Sequence, residues 1–248
     1  MEDQTPTRGK RRIVCLTGSK EGAGKSTVAL NLALAWAGTQ SRGVVIVHLD
    51  PLCRDDLSPQ LGLTPPTLAE LMRAGTKVTR GGTRPQVPLS QWGVGVLPLA
   101  ANPEEAKRVF PGEARRELER LSLTYDLFLD VDPCSPLRRM ALEISTLTFW
   151  TCLPQRAHFD AAEAALGAGG RSGAPMVLVV NQCNMPGALE AEDMTASIRR
   201  IPSSDCRWMP HERRIPELTN RGKLVVVEDP HSDWVRALRP LLGHVMES

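Results

Sequence analysis

Seven mainly apolar runs punctuate the chain, at 13–16, 44–49, 94–99, 127–131, 147–153, 176–180 and 224–227. Continuous rather than alternating apolar residues are the pattern of strands covered on both faces. Between the runs, apolar positions recur at helical spacing over 25–37, 104–121, 137–145, 157–167, 188–200 and 233–246. Strands alternating with helices predict an α/β fold, a mostly parallel twisted sheet of about seven strands with helices on both faces. The proline-rich stretches 64–66 and 83–88 predict loops. No repeat, low-complexity segment or linker interrupts the pattern, so residues 13–246 read as one domain. Residues 1–12 are polar and end in a basic run, which predicts a short disordered lead rather than a signal peptide.

In an open parallel sheet, ligands sit beyond the carboxyl ends of the strands. The residues that follow each run are therefore where chemistry is expected. After the first run comes Gly18-Ser19-Lys20-Glu21-Gly22-Ala23-Gly24-Lys25-Ser26-Thr27. Glycines let the backbone approach a phosphate, successive N–H groups form an anion nest, and the next helix points its positive end at the same place. Lys25 is placed to neutralise the β- and γ-phosphates and the Ser26 hydroxyl to bind Mg²⁺. The general G-x-x-x-x-G-K-[ST] pattern is missed at one position, where Ser19 stands for the first glycine. Thr27 occupies the place of the third glycine of a dinucleotide loop, which argues against that alternative.

Three further run ends carry polar residues. Asp50 follows the second run, Asp130 closes the fourth, and Asn181 follows the sixth. A carboxylate at a strand tip facing the loop is what a Mg²⁺-phosphate site needs to hold the metal's waters.

Composition narrows the picture. Of 248 residues, the charged ones nearly balance at +2, so the molecule as a whole is not a polyanion binder. Cys15, Cys53, Cys134, Cys152, Cys183 and Cys206 show no C-x-x-C spacing, which predicts reduced, largely buried thiols rather than a zinc site. No run nears the length of a membrane span. A cytoplasmic protein is expected.

Together these motifs resemble the MinD/ParA group of deviant Walker A ATPases. The group's Lys-Gly-Gly-x-Gly-Lys-[Ser/Thr] loop reads Lys20-Glu21-Gly22-Ala23-Gly24-Lys25-Ser26 here. Its Asp-x-Asp strand end reads His48-Leu49-Asp50, and its Asp-x-Pro follows Tyr125-Asp126 as Asp130 to Pro133. Shorter strings around Gln60–Leu63, Val96–Leu99, Ala174–Asn181 and Arg214–Glu217 look like the ATPase domains of CpaE/TadZ pilus-assembly proteins and FlhG flagellar-number regulators.

The resemblance implies ATP and Mg²⁺ as ligands. Residues Ser19, Lys20, Glu21, Gly22, Ala23, Gly24, Lys25, Ser26 and Thr27 would cradle the phosphates. Lys20 would reach across a dimer face to the partner's nucleotide, Asp50 would position the attacking water, and Asp130 would hold Mg²⁺ through water with Ser26 and Asp50. Asn181 would read the adenine edge and Pro210 would line the base pocket. The implied cycle is an ATP-bound homodimer, slow hydrolysis and release as monomers, with placement of a pilus, flagellum, other envelope machine or DNA as the output. A protein cargo is the partner so implied, through which the chain would sit at the inner membrane or cell pole. The arginine pairs at 138–139, 199–200 and 213–214 correspond to patches that relatives use for non-specific DNA, though a solvated face is the simpler expectation. The C-terminal amphipathic segment, which relatives use on a membrane surface, is expected to be a docked last helix.

Two departures bear on activity. Glu21 replaces a glycine, putting a carboxylate beside the phosphates that repels them unless it faces solvent or pairs with a cation. His48 replaces the first Asp, and the 50–56 segment reads one residue long. Both leave open a protein that keeps the fold and binds without hydrolysing.

Overall fold

The computed structural model describes residues 11–76, 86–167 and 173–248. Seven strands form one sheet: β1 (Ile13–Gly18), β2 (Val44–Leu49), β3 (Val94–Pro98), β4 (Asp126–Val131), β5 (Leu147–Cys152), β6 (Met176–Cys183) and β7 (Asp205–Pro210). Their order across the sheet is β3-β2-β4-β1-β5-β6-β7 and every pairing is parallel. The helices are α1 (Lys25–Ala37), α2 (Ser58–Leu61), α3 (Leu68–Thr76), α4 (Pro103–Ala106), α5 (Pro111–Leu121), α6 (Arg138–Ile144), α7 (Arg156–Gly167), α8 (Ala191–Ile198), α9 (Arg214–Asn220), α10 (Val225–Glu228), α11 (Asp233–Arg236) and α12 (Leu238–Glu247).

The apolar runs make sense because both faces of the sheet are covered. Val14 and Leu16 of β1 pack with α1 and α12 on one face, whereas Ile13 and Cys15 pack with α3, α5 and α6 on the other. Helix α1 is itself apolar nearly all round, since it lies between the sheet and the segments around α10 and α12. The apolar side of α12 (Leu238, Leu241, Val245) is buried in that core, so the C-terminal segment is a docked helix. Burying each such aliphatic side chain contributes about 1.5–3 kcal/mol.

Two sequence expectations are corrected. The run at 224–227 is not the seventh strand: it enters helix α10, with Leu224 and Val225 packed in the core and Val226 N donating to Asn31 Oδ1 of α1 at 3.2 Å. Packing beneath α1 overrides the strand preference of a valine run. The seventh strand is Asp205–Pro210, at one edge of the sheet, with residues that are mostly half-exposed. The helix expected over 104–121 is two helices, because Phe110 is extended ahead of Pro111, as a residue before proline is pushed to be.

Most of the 1–12 lead, and residues 83–85 of the second proline-rich stretch, lie outside the described residues. Arg12 is described: its Nε donates to Val245 O at 3.0 Å and its guanidinium stacks 4.9 Å from the Trp36 ring. All six cysteines are free. Burial pushes the Cys15 and Cys152 thiols up to about 12, which keeps them protonated. No helix among the described residues is long and apolar enough to cross a membrane.

Candidate phosphate and metal site

The loop between β1 and α1 begins from a rigid base. Every residue of β1 is buried, paired with β4 on one side and β5 on the other. Gly22 (φ 74°) and Gly24 (φ 80°) both take the left-handed backbone that side chains disfavour. Gly24 caps α1 without offering a side-chain acceptor, so the first N–H groups of the helix stay available to an anion. Glu21, which replaces a glycine in the resembled motif, is not among the positive-φ residues, so this loop does not require glycine there.

Four other strands brace or face the loop. Trp150 of β5 donates from Nε1 to Ser19 Oγ at 3.2 Å, and the Arg138 guanidinium lies 4.6 Å over the same indole. Asn181 of β6 donates from Nδ2 to Ala23 O at 2.9 Å, while its buried Oδ1 has no hydrogen-bond partner. On the other side, the register sets His48 of β2 level with Asp130 of β4, and Asp130 level with Leu16 of β1. Asp50, 3% exposed, follows at the tip of β2.

A cavity of about 150 Å³ opens at this point, lined by residues of the loop and both strand tips. It brings together Glu21, Gly22, Lys25, Ser26, Asp50 and Asp130, six of the residues expected from the sequence, and adds His48, Arg54, Asp56 and Asp132. Thr27 lies beside Ser26 in an adjoining cavity of about 170 Å³. Lys20 is exposed. Asn181 stands behind the loop, and Pro210 ends β7 opposite Cys183 in the register; neither lines the cavity around Lys25.

Asp130 Oδ2 is buried with no hydrogen-bond partner, 3.6 Å from His48 Nε2. A buried carboxylate oxygen without a donor suits a divalent cation or its waters. With the Ser26 hydroxyl and Asp50 around the same cavity, the residues fit a Mg²⁺-phosphate group.

Arg54 is the residue the sequence reading missed. Its Nε donates to Asp50 Oδ2 at 2.8 Å, while its terminal nitrogens approach Asp132 Oδ2 at 3.9 Å and Glu21 Oε2 at 4.0 Å. Glu21 thus pairs with a cation and also faces solvent, with its side chain 56% exposed. Burial alone would raise the Asp50 carboxyl, but the Arg54 hydrogen bond and the amides of Leu52 and Arg54 outweigh it and hold the group below its ordinary value. Cys53, at φ 55°, turns the loop back so that position 54 faces Asp50. The one available signal was a lone arginine among Asp50, Asp55 and Asp56.

His158, in the first turn of α7, is 6% exposed. Burial, with the nearby charges of Lys20 and Lys25, holds its imidazole below the ordinary value.

The sequence matches no family profile and no curated protein, so the likeness to known proteins is structural. A ParA-family ATPase from Chlorobium tepidum TLS superposes with a TM-score of 0.79 at 17% identity, covering 95% of this chain and all of that one. MinD from Pyrococcus horikoshii OT3, solved with Mg-ADP, gives 0.72 at 22% identity over 94% and 98% of the two chains. A Cyanothece McdA variant in complex with ATP gives 0.68 at 15% identity over 96% of each chain. The chain has the fold of the ParA and MinD ATPases.

Proposed function

We propose that this chain is a single-domain member of the MinD/ParA group, a Mg-ATP-binding dimerisation switch that slowly hydrolyses ATP to ADP and phosphate. The observation that carries the reading is one cavity in which Lys25 and Ser26 meet two buried strand-tip carboxylates, one of them with an oxygen that no donor satisfies. The glycine-shaped loop and the start of α1 bind phosphates, Lys25 neutralises them, and Ser26, Asp50 and Asp130 would hold Mg²⁺. When bound, the ion supplies charge neutralisation at the phosphates. Lys20, exposed on the loop, is free to meet a second copy of the chain, and Asn181 and Pro210 flank the side on which the base would lie.

The output we assign is placement of a cellular structure through a protein partner, in line with the septum site-determining and plasmid-partition proteins of the same fold. A protein partner is favoured over DNA because Arg139, Arg200, Arg214, Arg221 and Arg236 each pair with a neighbouring carboxylate. Such pairing lowers the free positive charge that non-specific DNA binding draws on.

One observation supports a second reading, a chain that binds ATP without cleaving it. Asp50 Oδ1 accepts from Leu52 N and Oδ2 accepts from Arg54 N and Nε, so in this arrangement the carboxylate is engaged by its own loop. Single-turnover phosphate release decides between the two. Release by the wild type that stops in Asp50→Ala and Lys25→Ala supports the ATPase; equal rates in Asp50→Ala and wild type overturn the role of Asp50; binding with no release supports the second reading.

A further inference from the structure

We propose that Arg54 is the residue by which this site tells a nucleoside triphosphate from a diphosphate. The inference rests on the Mg-ATP reading above and deepens it. Arg54 lies in the loop after β2, its side chain is 49% exposed, and it points into the cavity that holds Lys25 and Ser26. It is not needed to satisfy Asp50, whose two oxygens already accept the backbone N–H groups of Leu52 and Arg54. Its remaining donors make only long approaches, to Asp132 and Glu21. The guanidinium therefore keeps donors in hand, facing the cavity.

Charge gives those donors a use. The cavity is lined by five carboxylates (Glu21, Asp50, Asp56, Asp130, Asp132) against two permanent cations, Lys25 and Arg54. A diphosphate cradled by the loop has the N–H groups and Lys25 to meet it. A third phosphate adds negative charge on the acidic side of the cavity, where Arg54 is the one lining cationic side chain besides Lys25. A guanidinium also suits the task in shape, since its planar fork matches two phosphate oxygens at once, which an ammonium cannot do. Engaging a phosphate would draw the Nε from Asp50 and leave that carboxylate freer, which ties triphosphate recognition to the residue expected to position water.

The test is calorimetric titration of the full chain with Mg-ADP and with Mg-AMP-PNP, for wild type, Arg54→Gln and Arg54→Lys. Arg54→Gln is expected to weaken AMP-PNP by at least about tenfold, the scale of one lost charge-assisted contact, while ADP stays within about threefold. Arg54→Lys, which keeps the charge and loses the fork, should fall between. Unchanged ADP affinity also shows that the variant is folded. If both ligands weaken by the same factor, if neither changes, or if AMP-PNP tightens, Arg54 does not discriminate and the proposal fails while the nucleotide site stands. If the wild type binds neither ligand, the Mg-ATP reading falls and takes this inference with it.

Discussion

Asn181 holds the loop between β1 and α1 from behind: its Nδ2 donates to Ala23 O, and a Cβ on Gly24 would run into that same Nδ2. The loop conformation is therefore fixed twice, by the left-handed backbone of Gly24 and by the amide packed against it. Gly24→Ala must clash with buried Asn181 and strain its own backbone. We expect a loss of about 1–3 kcal/mol in denaturant unfolding and the disappearance of ATP binding. Gly24→Ala combined with Asn181→Ala should recover part of the stability but not the binding, because the φ requirement remains. A single variant with wild-type affinity would show that the loop geometry is not what binds phosphate.

Acid sensitivity should be traceable to His158. Its buried imidazole is held below the ordinary value of about 6.5, first by burial and then by Lys20 and Lys25. Below that pH the unfolded chain takes up a proton that the folded site refuses, so unfolding becomes more favourable as pH falls. Its Nδ1 is buried with no hydrogen-bond partner, so an apolar replacement leaves no donor stranded. Melting temperature measured between pH 7.5 and 5.5 should fall less steeply in His158→Leu than in wild type. Parallel slopes would place the acid sensitivity elsewhere.

At the opposite end of β4, stability can be separated from binding. Trp36 Nε1 donates to Asp126 Oδ2 at 2.9 Å, and Asp126 is fully buried with Arg42 Nε 3.6 Å from its other oxygen. Trp36→Phe strands that carboxylate oxygen, and we expect a cost of about 1–3 kcal/mol with ATP affinity unchanged in the folded protein. A loss of affinity comparable to the loss of stability would mean that this end of α1 communicates with the loop.

The strands at the middle of the sheet were legible because burial on both faces writes itself as a run of consecutive apolar residues, as in Val44–Val47 of β2 and Leu127–Leu129 of β4. The edge strand Asp205–Pro210 escaped notice for the complementary reason: half-exposed, it carries Arg207 and an exposed Trp208 and has no run to see. The valines at 225–227 misled because their partner is α1, far away in the chain, and local preference carries no record of that contact. Within the site, the loop and both strand-tip carboxylates could be placed because their positions follow from strand ends. Arg54 could not, since its approach to Asp50 depends on the left-handed turn at Cys53, a position where a non-glycine residue gives no warning. The same turn answers the charge problem posed by Glu21, which in sequence looked uncompensated.

The central claim is that ATP controls assembly, and light-scattering mass after size exclusion addresses it most directly. The chain of 27.1 kDa should elute as a monomer without nucleotide and with Mg-ADP, and at twice that mass with Mg-AMP-PNP, while Lys20→Ala stays monomeric in all three. A wild-type mass that is the same in all three conditions would contradict the switch.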